Sequence, residues 1–145
     1  MKAVIQRVTG ASLRVDGELI SEIGGGLVVF LGVAPEDTEE TAGIMAKKIA
    51  NMRIFSDMNG KMNLSVLNTG GSILLVSQFT LFGDCSRGNR PSFIGAAEPG
   101  MAEALYRKTA EKIAAYGVCV RLGIFGADMK IEQRNDGPVT IVYEC

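Results

Sequence analysis

A proline cannot donate to a sheet ladder, so the Gly137-Pro138 pair near the end of this chain constrains how the strands around it can pair. A segment of alternating character, residues 129–134, stops before Asn135-Asp136-Gly137-Pro138, and a second, 139–144, begins directly after it. Gly137 can take backbone angles closed to other residues and Pro138 fixes its own φ. Together they make a stiff corner whose exposed groups are main-chain carbonyls. The corner is either a plain trans turn between two strands or a rigid main-chain probe presented to a ligand. Only about 5–6% of X-Pro bonds are cis, which favours the plain turn on the residues alone.

The chain before this corner reads as strands with two helices inserted. Residues 1–9 alternate Val4, Gln6, Val8 against Ala3, Ile5, Arg7; residues 12–15 and 18–23 flank Asp16-Gly17, a two-residue hairpin signal. Gly24-Gly25-Gly26 leads into 27–31, apolar on both faces and therefore a central strand. The triple glycine lacks a following Gly-Lys-Ser/Thr and precedes a strand, so it is not a phosphate loop. After Pro35, Asp37 and Glu40 have capping-box spacing for a helix to about Asn51. A short strand, 53–56, and turns at 58–61 and 68–71 follow. Residues 72–82 read as a second central strand, 83–100 as a long loop whose basic residues are Arg87 and Arg90, and 101–116 as a helix burying Ala102, Leu105, Tyr106, Thr109 and Ile113. Gly117 ends that helix and 118–125 is another strand. This order predicts an α/β fold of layered mixed and antiparallel sheet, with two helices packed on one side.

At 145 residues and 47% hydrophobic, residues 1–145 are expected to form one domain with a substantial core. The net charge of −1 provides no global basic field, so a nucleic-acid partner must be held by a local patch or by its end. The longest apolar run, 27–34, is too short to cross a bilayer, and Gln6-Arg7 breaks any signal-peptide core. A cytoplasmic protein without a membrane partner is expected. Cys85, Cys119 and Cys145 are odd in number and far apart, which indicates free thiols instead of disulfides or a zinc site. No metal and no cofactor is expected. The absence of histidine excludes Ser-His-Asp and Cys-His triads and every histidine general base.

The polarity of 72–82 changes along its length: Ile73 to Val76 is wholly apolar, then Ser77, Gln78 and Thr80 appear among Phe79, Leu81 and Phe82. A buried strand surfacing with polar groups is where a site belongs.

Ser77-Gln78-Phe79-Thr80-Leu81 and, some sixty residues later, Asn135-Asp136-Gly137-Pro138-Val139-Thr140 resemble the two signature motifs of the D-aminoacyl-tRNA deacylases, first described as D-tyrosyl-tRNA deacylases. The likeness extends to Arg90-Pro91-Ser92-Phe93 and Gln6-Arg7-Val8 and covers the whole chain. It implies a homodimer that hydrolyses the ester joining a D-amino acid to the terminal adenosine of tRNA. It implies further that Gly137-Pro138 is cis and enters the partner's site, where its carbonyls bind the substrate amino group and its backbone excludes an L side chain. Achiral glycine on tRNA would then pass the filter. Arg7 is implied to steady the corner through main-chain carbonyls. Ser77 and Gln78 are implied to position the adenosine, and Phe79, Phe93, Phe125 and Met129 to wall the pocket. Ordinary core packing accounts for these four equally well.

Without histidine the obvious nucleophile is Thr80, yet its hydroxyl has no evident base. Substrate assistance is the better expectation: the neighbouring ribose 2′-hydroxyl helps activate water while main-chain N–H groups around Gln78, Phe79 and Thr80 hold the oxyanion, about 3–4 kcal/mol for one such donor. A Thr80-dependent ester or amide hydrolase and a non-catalytic RNA-end-binding dimer are the alternatives.

Overall fold

Fourteen residues without a proline, Lys2–Val15, run as one strand, β1, and the sheet is assembled on its two edges. The computed structural model describes residues 1–145. Asp16 and Gly17 both take positive φ, 49° and 84°, and reverse the chain into β2 (Glu18–Ile23), as the hairpin signal requires. β3 (Gly26–Gly32) then pairs antiparallel with the first half of β1, on the edge whose second half carries β2. The last of the three glycines serves a close approach: a Cβ on Gly26 would lie 1.9 Å from the Ser72 carbonyl oxygen.

Helix α1 (Glu39–Asn51) follows, then a two-stranded ribbon, β4 (Phe55–Ser56) and β5 (Met62–Leu64), and one helical turn, α2 (Val66–Thr69). β6 (Ser72–Ser77) lies parallel to β3, and after α3 (Pro99–Ala114), β7 (Cys119–Leu122) lies parallel to β6. β8 (Lys130–Glu144) returns antiparallel along the free edge of β1. The fold is therefore the expected layered α/β arrangement with two long helices on one face; α2 is an additional short one. Ala3, Ile5, Leu27, Val29, Leu31, Ile73 and Leu75 meet Met45, Ile49, Tyr106 and Ile113 of the helices in the main core. The alternate residues Val28, Leu74 and Val76 point the other way and join Val8, Ala11, Leu13 and Ile23 in a smaller cluster.

Several boundaries differ from the expected ones. The strand expected over 72–82 ends at Ser77, because β3 ends too: the Gln78 N–H donates to the Leu31 carbonyl at 2.8 Å and no partner lies beyond. Phe79–Phe82 forms a 3-10 turn instead. The strand expected over 118–125 stops at Leu122, leaving Phe125 in the following loop. The cap of α1 is Thr38 with Thr41, whose hydroxyl and amide exchange hydrogen bonds. Asp37 turns inward, accepting from the Met1 ammonium at 2.6 Å and the Ala34 N–H at 2.7 Å. Finally, the two strands expected around the corner are one strand, β8, carrying a bulge. Gln6 faces Thr140 and Val8 faces Asn135, so Asp136, Gly137, Pro138 and Val139 have no paired partner on β1.

Candidate active site

Three parallel strands side by side, β3, β6 and β7, end at one rim of the sheet, and such a carboxyl-terminal rim is where α/β sheets open a crevice. Here the crevice is a cavity of about 610 Å³. Leu31 and Val33 come from the end of β3, and Val76, Ser77, Gln78 and Phe79 from the end of β6. Residues 125–129 follow β7, and Glu98, Pro99, Ala102 and Tyr106 come from the start of α3. Thirteen of the nineteen lining residues are hydrophobic. Phe93 enters from the long loop and meets Phe79 edge-on, ring centroids 5.1 Å apart.

Of the residues singled out by sequence, Ser77, Gln78, Phe79, Phe93, Phe125 and Met129 line this cavity together. Thr80 does not: it is exposed on the 3-10 turn, and its hydroxyl is bonded to the Gln78 side-chain amide. An amide cannot take a proton from it, so the hydroxyl has no base. The N–H groups of Phe79 and Thr80 have no acceptor within the chain: the first donors of a helical turn lack an intrahelical partner, and no side chain caps this one. The Gln78 N–H is occupied by Leu31, which removes it from the expected oxyanion donors.

Arg7, Gly137 and Pro138 stand apart from the cavity. The Arg7 guanidinium is buried and reaches three oxygens: Nη1 donates to the Ile54 carbonyl at 2.6 Å, and Nε lies 3.3 Å from the Asp136 carbonyl and 3.0 Å from its carboxylate. It thereby grips the residue before Gly137 from the one β1 position opposite the bulge. Gly137 and Pro138 are exposed, and the peptide joining them is cis. Gly137 has φ +120°, and a Cβ there would sit 2.9 Å from the Val139 Cγ2 and 3.3 Å from the Arg7 Nη2. Arg7 pairs with Leu27, four residues before Leu31 along β3, so the corner and the rim are offset by about 13 Å along the strands. The corner also lies beyond β1, on the far edge of the sheet.

Sequence reading missed three lining groups. Tyr106 was legible as core, but its hydroxyl also donates to the Leu75 carbonyl at 2.8 Å, where β6 approaches the rim. Burial pushes its phenol up to about 12, against a smaller lowering by the Gly123 amide. Glu98 and Asp128 are the charged residues of the lining, and Asp128 is paired with Lys130 at 2.9 Å. Nothing in their local sequence distinguishes them from surface acids. No cluster of three metal-ligating side chains occurs.

The sequence model of the family described as D-Tyr-tRNA(Tyr) deacylase matches residues 4–144. The chain is 51% identical over 144 residues to the D-aminoacyl-tRNA deacylase of Fervidobacterium nodosum, covering 99% of this chain and 97% of the relative. To that of Deinococcus radiodurans it is 54% identical, covering 99% of each. Among solved structures, a c-Myc DNA unwinding element binding protein superposes with TM-score 0.92 at 44% identity, over 100% of this chain and 99% of the other. A probable eukaryotic D-amino acid tRNA deacylase shares the fold, with TM-score 0.87 at 18% identity over 98% and 97%. A whole-length family match and relatives at half identity leave one assignment: the chain belongs to the D-aminoacyl-tRNA deacylases, a family of hydrolases.

Proposed function

We propose that this protein hydrolyses the ester between a D-amino acid and the terminal adenosine of tRNA, releasing the free D-amino acid and tRNA, in the cytoplasm where aminoacyl-tRNA is used. The observation that carries the mechanism is the pair of unpartnered N–H groups at Phe79 and Thr80, at the edge of an apolar cavity. Water attacks the ester carbonyl, the two amides stabilise the oxyanion that develops, and the 3′-oxygen leaves. The ribose 2′-hydroxyl beside it moves the protons that a histidine would otherwise carry. Ser77 and Gln78 position the adenosine, and Phe79, Phe93, Phe125 and Met129 enclose the aminoacyl end.

Chirality is read by the Gly137-Pro138 corner of a second copy in a homodimer. Two observations support this: the corner is exposed, and it lies far from its own cavity. Its carbonyls bind the substrate's ammonium, and its backbone fills the space an L side chain needs. Rejection by clash admits many D side chains, and glycine with them. Arg7 holds the corner in place through Asp136.

Purified protein is offered D- and L-tyrosyl-tRNA. Cleavage of the D ester with the L ester spared is expected. Cleavage of both without preference would point to an unrelated Thr80-type hydrolase, and cleavage of neither to an RNA-end-binding dimer. A terminal 2′-deoxyadenosine is expected to slow the D reaction by about 100-fold or more; an unchanged rate would overturn the role given to the sugar.

A further inference from the structure

A chain with 15 basic and 16 acidic residues has no net field to draw in a polyanion, so beyond the recognition of its end RNA is left to a local group of unneutralised cations. One such group stands on a loop rooted at the rim of the cavity, where Phe93 lines it. The Asp84 and Ser92 main chains exchange hydrogen bonds at 2.8 and 2.9 Å, closing residues 84–92 into a finger. One root of the finger is Gly83, whose N–H donates to the Thr80 carbonyl at 2.9 Å; the other is Phe93, packed edge-on against Phe79. The finger therefore rises from the same turn that carries the free Phe79 and Thr80 amides. Its carboxylate is folded back, with Asp84 accepting the Ser86 N–H at 2.8 Å. Arg87 and Arg90, at its exposed end, are in no ion pair. By contrast, Arg107 and Lys108 on α3 sit on Glu103 and Glu111 at 2.7 and 3.0 Å. An unpaired guanidinium gives up no internal partner to take a phosphate in its planar fork.

We propose that the 84–92 finger grips the sugar-phosphate backbone of the tRNA acceptor end through Arg87 and Arg90. This rests on the proposed tRNA substrate, and it assigns the RNA body to a surface separate from the pocket that receives the aminoacyl end. Two contacts to phosphate release counterions, so they set the steepness with which salt weakens binding.

The test is the affinity of the full-length protein for uncharged tRNA across a salt series. R87A/R90A is expected to bind more weakly and to flatten the slope of log affinity against log salt by about 1.5, the share of two phosphate contacts. R87K/R90K keeps most of the slope, because the charges remain. R107A/K108A, removing two charges already paired, leaves it where it was. The inference is overturned if R87A/R90A has the wild-type slope, if the lysine pair behaves like the alanine pair, or if the wild-type protein does not bind tRNA. Binding of uncharged tRNA needs no hydrolysis, so the two readings fail separately. A finger-dependent slope in a protein that cleaves no D ester would sink the proposed function alone, and D-specific cleavage with an unaltered slope would sink the finger alone.

Discussion

The corner at Gly137-Pro138 and the cavity at the strand ends are built on opposite principles. The corner is main chain held from behind: a buried arginine bonds the carbonyl and the carboxylate of the preceding residue, while glycine and proline offer almost no side chain to the outside. The cavity is side chain held from below, a ring of apolar residues contributed by three strand ends and one helix start. Within one protomer they do not meet. In the proposed homodimer, the corner of one copy meets the cavity of the other. This contrast is the physical basis of the proposed dimer.

Putting a methyl group on the probe attacks the contrast most directly. G137A places a Cβ against Val139 and Arg7 at a positive φ, so the carbonyls it carries must shift. Misplacement of about 1 Å costs roughly 100-fold, so cleavage of D-tyrosyl-tRNA should fall by about that factor and the D-to-L ratio should fall with it. Unchanged discrimination would show that the corner is not the filter. Removing the support behind it comes next. R7A leaves the Ile54 carbonyl buried without its donor and should cost about 2–3 kcal/mol in urea unfolding. R7K, which keeps the charge but not the fork, should recover part of the stability and little of the D-to-L ratio.

On the cavity side, Tyr106 offers a test by pH. Its phenol titrates near 12 in the folded protein against 10.0 ordinarily, so the folded state binds the proton more tightly. Below pH 10 its contribution is fully present; between 10 and about 12 the unfolded chain ionises first and stability falls. Wild type should lose about 2–3 kcal/mol more than Y106F across that window in denaturant titrations. Equal losses would mean that the hydroxyl is not held as described. The smallest effect belongs to Thr80. T80A should retain kcat within about tenfold, since its hydroxyl touches only the Gln78 amide. A collapse by several orders of magnitude with folding intact would restore the threonine nucleophile.

Much of this was readable along the chain, wherever the determining interaction is local. The Asp16-Gly17 reversal, the continuous apolar strands β3 and β6 and the amphipathic face of α3 follow from neighbouring residues. The ends of elements were read less well, because they depend on a partner. Gln78 leaves the sheet because β3 has ended, a fact that sits some forty-five residues earlier. Asp37 looks like a helix cap and serves instead as the counter-ion of the Met1 ammonium, which the fold brings beside it. Glu98, Asp128 and Tyr106 gained their places in the cavity wall from packing alone.

By itself, then, the sequence determined the alternation of strands and helices, the absence of imidazole chemistry and the stiff Gly-Pro break near its end, because each is a property of adjacent covalent structure. Tertiary structure decided that β8 continues through that break as a bulge, that Arg7 clamps it, and that the Phe79 and Thr80 amides are left free beside an apolar cavity. Those outcomes depend on which strand lies opposite which and where each partner stops. Such distances are established only once the chain has folded.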